Sequence, residues 1–141
     1  ESFKDLVLAS NVHGELGTLK QNIGMEDECV GHLQEALKLV RIGHREFDTP
    51  HNKQLQLQEA TIYIHLTAAF MDLERQNDAI KCIAEASKVA RQHSDPYLIA
   101  ETLFCTGKIY YCQDRFELAE SKLRQAVVGF AGVAEKSTFP P

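Results

Sequence analysis

The chain has 141 residues, 44% of them apolar and 25% charged, which suits one globular domain with a sizeable core of its own. Its formal net charge of −5 leaves no basic footprint, which argues against nucleic acid and anionic membrane as main partners. No apolar run approaches the roughly 20 residues needed to cross a bilayer, and no signal or transit pattern opens the sequence. It starts at Glu1 without a Met, as a piece of a longer protein would.

Helix formers dominate, and apolar residues recur at three-to-four spacing throughout. Ser2 is the expected N-cap of a first helix through Phe3, Leu6, Val7, Leu16 and Leu19 to about Lys20, which Gly24 ends. Glu26, Asp27 and Glu28 supply the negative first turn of a second helix, which Gly43 is expected to stop. Phe47-Asp48-Thr49 reads as a short connection. Thr49-Pro50 reads as a cap and first residue of a third helix, to about Leu73. Arg75-Gln76-Asn77 is the expected turn, with Asn77 or Asp78 capping a fourth helix to about Gln92. Asp95-Pro96 repeats the cap signal for a fifth helix ending near Cys112. Asp114 is expected to start a sixth helix to about Gly132, with an irregular tail over 134–141. The expectation is an all-α domain over 1–133 in three antiparallel pairs, at about 3–43, 50–92 and 96–132.

An internal echo organises these elements. Leu103-x2-Thr106-Gly107-x2-Tyr110 followed by Ala119-x3-Leu123-x2-Ala126 matches Tyr63-x2-Leu66-Thr67-x2-Phe70 followed by Ala79-x3-Ile83-x2-Ala86. The first pair is a degenerate copy, His13-x2-Leu16-Gly17-x2-Lys20 then Cys29-x3-Leu33-x2-Ala36, with Lys20 where an aromatic is expected. Small residues at Gly17, Thr67, Gly107 and the alanine slots let helix backbones approach closely, and the large ones fill the space beside them. Ala79 to Ala119 is 40 residues but Cys29 to Ala79 is 50. The extra length falls around the second connection and on the third helix, so the first-to-second junction should stand out from the other.

The slot pattern resembles the tetratricopeptide repeat, over about residues 3 to 133, in a longer-period variant than the usual 34 residues. That resemblance implies a right-handed α-solenoid, because no pair buries both of its faces alone. It also implies a concave groove lined by fixed positions of each first helix: Asn11, Gly14, Glu15, Thr18, Gln21 and Asn22 in the first repeat. The second repeat gives Thr61, Ile64, His65, Ala68, Met71 and Asp72, and the third gives Glu101, Phe104, Cys105, Lys108, Tyr111 and Cys112. Chaperone-binding members clamp a carboxylate with basic groups at these slots; only Lys108 is basic here, which argues against such a clamp. Ile64, His65, Met71, Phe104, Lys108 and Tyr111 are the expected peptide-contacting residues, with Phe104 and Tyr111 as aromatic anchors.

The remaining candidates weigh toward structural roles. Cys29, Cys82, Cys105 and Cys112 show no disulfide or zinc spacing, and the six histidines form no metal-ligand or catalytic motif. Reduced thiols in helices suit a cytoplasmic setting. Cys105 and Cys112 fall two helical turns apart, on one face, as small residues rather than a metal pair. Gly14, Gly17 and Gly24 lack the strand and Gly-Lys-Ser/Thr of a phosphate loop. No cofactor or catalytic residue is expected. Leu118, Val127, Val128, Phe130 and Val133 make the last helix apolar on more than one side, where a solenoid end needs a polar face. Val127, Val128 and Phe130 are therefore an expected end interface, for further repeats, an oligomer contact or a partner. The expected function is a non-enzymatic adaptor or scaffold that binds a protein or peptide. Its rivals are a structural spacer of a larger assembly and a regulatory domain of a larger protein.

Overall fold

The computed structural model describes residues 3–47 and 52–137. The described residues form six α-helices: α1 (Phe3–Asn22), α2 (Glu26–Glu46), α3 (Asn52–Asp72), α4 (Gln76–Gln92), α5 (Pro96–Cys112) and α6 (Phe116–Ser137). The most extensive contacts are α1 with α2, α3 with α4 and α5 with α6, and each hairpin then packs on the next. This is an all-α solenoid of three antiparallel helix pairs.

One turn design recurs at four of the connections. Gly24, Glu74, Ser94 and Asp114 have φ of 80°, 58°, 50° and 61°. The N–H of the residue after each donates to the carbonyl five residues back, Met25 to Lys20, Arg75 to Phe70, Asp95 to Ala90 and Arg115 to Tyr110, at 2.8–3.1 Å. Each helix is thus closed by a left-handed residue that satisfies two of its last carbonyls. Only Gly24 adopts that backbone freely; an L side chain there costs about 1–2 kcal/mol. The motif fixes where the next helix starts, which corrects two expectations. The turn is Leu73–Arg75 rather than Arg75–Asn77, and α4 begins at Gln76 with no side-chain cap; Asp78 instead pairs with Arg75 at 2.8 Å. Asp114 is the left-handed turn residue, and α6 begins two residues later at Phe116. Asp95 does cap α5, accepting from the Leu98 N–H at 3.0 Å, with Pro96 at the first helical position.

Helix packing follows the small slots. A Cβ on Gly107 would sit 2.8 Å from the Leu123 side chain, and one on Gly17 3.1 Å from Leu33. The facing alanines Ala36, Ala79, Ala86, Ala119 and Ala126 are at most 3% exposed. Thr67, in the slot of Gly17 and Gly107, is buried with its hydroxyl donating to the Tyr63 carbonyl at 2.8 Å. Two slots carry a matched pair: Arg75 lies over the Phe70 ring at 4.7 Å and Arg115 over Tyr110 at 4.8 Å. In the first repeat Lys20 stands at the aromatic's position and reaches Glu28 at 3.4 Å instead.

The irregular junction is built from longer helices. α2 and α3 each have 21 residues against 17 in α4 and α5, one extra turn apiece. Gly43 lies inside α2 rather than ending it, pressed against Leu55, which is 1% exposed. Its missing side chain serves a close approach, not a stop. Beside it His44 Nδ1 lies 2.9 Å from Asn52 Oδ1, and Phe47 packs edge-on against Phe3 at 5.8 Å. α6 continues through Ser137, so 134–137 of the expected tail is helical. The Ser2 and Thr49-Pro50 caps, Asp48 and residues 138–141 lie outside the described residues.

Candidate functional surfaces

α3 touches both α1 and α5 directly as well as through their partners, so the first helices share one side of the stack. Two clefts open on that side. One, about 280 Å³, lies between α1 and α3 among Asn11, Gly14, Glu15, Thr18, Thr61 and His65. The other, about 440 Å³, lies between α3 and α5 among Gln58, Thr61, His65, Tyr97 and Glu101. Gln58, Thr61 and His65 line both, so the clefts form one groove across three helices. Side-chain bridges hold its walls in register: Gln58 donates to Asn11 at 3.0 Å, and Gln21 donates to Asp72 at 3.1 Å.

The groove mixes apolar and polar groups, and its charged lining residues, Glu15, Asp95 and Glu101, are all acidic. Burial pushes the Glu101 carboxyl above the usual carboxylate range, and Asp95 beside it adds to the shift. Burial lowers the His65 pKa, while the Glu15 carboxylate pulls it back up. His65 nevertheless keeps a good part of its own surface open to the cleft.

The expected groove residues divide. Asn11, Gly14, Glu15, Thr18, Thr61, His65 and Glu101 line the two clefts. Ile64 does not: at 5% exposure it belongs to the core, because its position on α3 turns it inward. Cys105 is buried as well, and Met71 is half-buried against the core. Phe104 is 44% exposed, with Lys108 Nζ 5.0 Å over its ring, and both lie apart from the two clefts. The aromatic in the groove is Tyr97, on the first turn of α5, 49% exposed and edge-on to Phe130 at 5.8 Å.

Tyr111 belongs elsewhere. It stacks edge-on with Phe116 at 5.8 Å and lines an apolar cleft of about 510 Å³ with Leu123 and Val127. Val127 and Val128 are 67% and 72% exposed, whereas Phe130 is half-buried against Tyr97. A second apolar face, unforeseen from the sequence, lies on α1: Leu8, Val12 and Leu19 are 51–57% exposed and share a shallow apolar depression with Leu16. Leu19 belongs to the apolar stripe of the first helix, yet half of its surface is uncovered.

Cys105 and Cys112 do not share an environment: Cys105 is buried, with its thiol pushed up to about 11 by burial, and Cys112 is exposed. Cys82 is likewise raised to about 11 by burial. All four cysteines are free. Among the described residues, no group of His, Cys, Asp or Glu is placed to hold a metal ion. No described helix is long and apolar enough to cross a membrane.

The fold and its two kinds of surface define a helical-repeat protein of the tetratricopeptide type. The family model for anaphase-promoting complex subunit 5 matches residues 13–44 and 42–107, together about two thirds of the chain. The chain belongs to that family of helical repeats, whose namesake is a subunit of a multi-protein complex. No curated protein matches the sequence at a significant level.

Proposed function

We propose that this chain is a non-enzymatic interaction module that serves as a scaffold within a multi-protein assembly and holds a segment of a partner protein in the groove across α1, α3 and α5. The observation that carries the reading is the continuity of the two clefts through Gln58, Thr61 and His65. A rigid helix stack presents such a groove already formed, so little ordering cost falls on its side of the complex. Glu15, Asp95 and Glu101 make the groove net acidic, which favours a segment bearing basic side chains. The family's description as an assembly subunit supports the scaffold role, and four free thiols support a reducing, cytoplasmic setting.

The test is quantitative capture of protein partners by the chain, by a His65→Ala/Tyr97→Ala variant and by a Val127→Glu variant. The reading expects a partner that the groove variant loses at least tenfold and the Val127→Glu variant retains. A partner held equally by all three would sink it. If Val127→Glu alone releases the partner, the chain is a structural spacer that contacts through its ends.

A further inference from the structure

The cleft between α3 and α5 holds negative charge that the chain does not balance. Tyr97 and Glu101 stand four residues apart on α5, so one face of that helix presents both to the cleft, beside the capping Asp95. Burial and the neighbouring Asp95 both disfavour the ionised form of Glu101. Elsewhere the chain meets its acids with its own cations, Glu28 with Lys20, Asp78 with Arg75 and Glu120 with Arg124. Among the described residues Glu101 has no such partner, and no lysine or arginine lines either cleft of the groove. His65 lines both, and its burial favours the neutral ring.

The remaining lining selects the kind of cation. Gln58 spends its amide nitrogen on Asn11, and Thr61 donates its hydroxyl to the Leu57 carbonyl at 3.1 Å. Both are left with oxygens that can still accept. Asp95 gives Oδ1 to the Leu98 N–H, and Glu101 adds a carboxylate. The cleft is therefore rich in acceptors, with an exposed aromatic ring at its edge. A guanidinium carries five donors in a planar fork and no acceptor, and it both pairs with carboxylates and stacks on aromatic rings. An ammonium is a compact, strongly hydrated point charge that gains less from the ring.

We infer that the cleft between α3 and α5 receives the guanidinium of an arginine in the partner segment, paired with the Glu101 carboxylate and stacked on Tyr97. This rests on the reading of the groove as the place where a partner segment lies, and it names a residue that the segment must carry. Arginine is the occupant because its charge, its donors and its flat face each answer a separate feature of the lining. Both walls belong to the internal α3–α5 contact, so the cleft is complete within the described helices.

Backbone amide NMR titration of the whole chain tests this, with N-acetyl-arginine amide as the probe. The acetyl amides of lysine and of citrulline, in which an uncharged urea replaces the guanidinium, are the controls. The arginine probe is expected to shift the amides around Tyr97, Glu101, Thr61 and His65 saturably. The citrulline probe should bind about tenfold more weakly, and the lysine probe about threefold. Glu101→Gln should weaken the arginine probe about fivefold and Tyr97→Leu about threefold, both with unchanged helical circular dichroism. No saturable shift up to high millimolar arginine probe overturns the inference. So does citrulline or lysine binding as tightly as arginine, or a Glu101→Gln variant that binds the arginine probe normally. Capture of protein partners separates this inference from the groove reading. A partner that His65→Ala/Tyr97→Ala loses and Glu101→Gln keeps overturns the arginine contact and leaves the groove standing. A partner that every variant holds equally sinks both.

Discussion

The two junctions between hairpins solve one packing problem at different lengths. At the second, α4 meets α5 through helices of 17 residues joined by a three-residue turn that Asp95 caps. At the first, α2 and α3 are each a turn longer, and the added turns bury their own contact, Gly43 against Leu55. Leu55 has no apolar counterpart in α5, where Asp95 stands 40 residues on. The comparison teaches that this repeat tolerates insertion in whole turns. Four residues are close to one helical turn, so an added turn leaves every later side chain on its original face. The slots stay in phase, and the extra length needs only a little core of its own.

The largest test of that picture is Leu55→Ala. It should lower stability by about 2–5 kcal/mol in denaturant unfolding, as for any fully buried leucine. A loss of a few tenths would mean that the added turns are not part of the cooperative core. At the regular junction, Asp95→Ala removes the side-chain cap and should cost about 1 kcal/mol, read in the same way. Arg75→Ala and Arg115→Ala remove matched contacts over Phe70 and Tyr110, both away from the irregular junction. Each should cost about 0.5 kcal/mol, because partly exposed pairs of this kind are weak, with Arg75→Ala slightly the larger since it also gives up the exposed pair to Asp78. A large difference between them would break the equivalence of the second and third repeats.

The smallest expected effect concerns pH. Burial lowers the His65 pKa, so the folded chain binds fewer protons than the unfolded one once pH falls toward the ordinary histidine value. Its contribution is complete above about 6.5 and is lost as pH falls through the lowered folded value. His65→Gln should flatten this part of the stability profile. An unchanged slope would place the proton uptake on another group.

Much of the fold was legible in the chain. Periodicity marked six helices, Asp95-Pro96 gave a true cap, and the small-slot echo gave the pairing of helices. Helix starts were less legible. Asp78 and Asp114 look like caps, but the left-handed turn residues Glu74 and Asp114 are dictated by the hydrogen bonds that close the preceding helix. Gly43 looked like a stop because a glycine that ends a helix and one that admits a neighbour read alike in sequence. The groove was partly legible through the repeat positions that reach His65, Thr61 and Glu101. Ile64 and Tyr97 were not, since inward or outward placement on a first helix depends on how its neighbours cross it.

The sequence by itself determined that the chain is helical, that its helices pair, and that three repeats share one slot pattern, because helix periodicity and side-chain size are local properties. Only the tertiary structure decided which apolar slots become core and which become surface. Leu19 and Ala69 hold the same place in the repeat, yet one is 52% exposed and the other 0%. The difference lies in whether a neighbouring hairpin stands over the slot, and burial is a property of two surfaces rather than one.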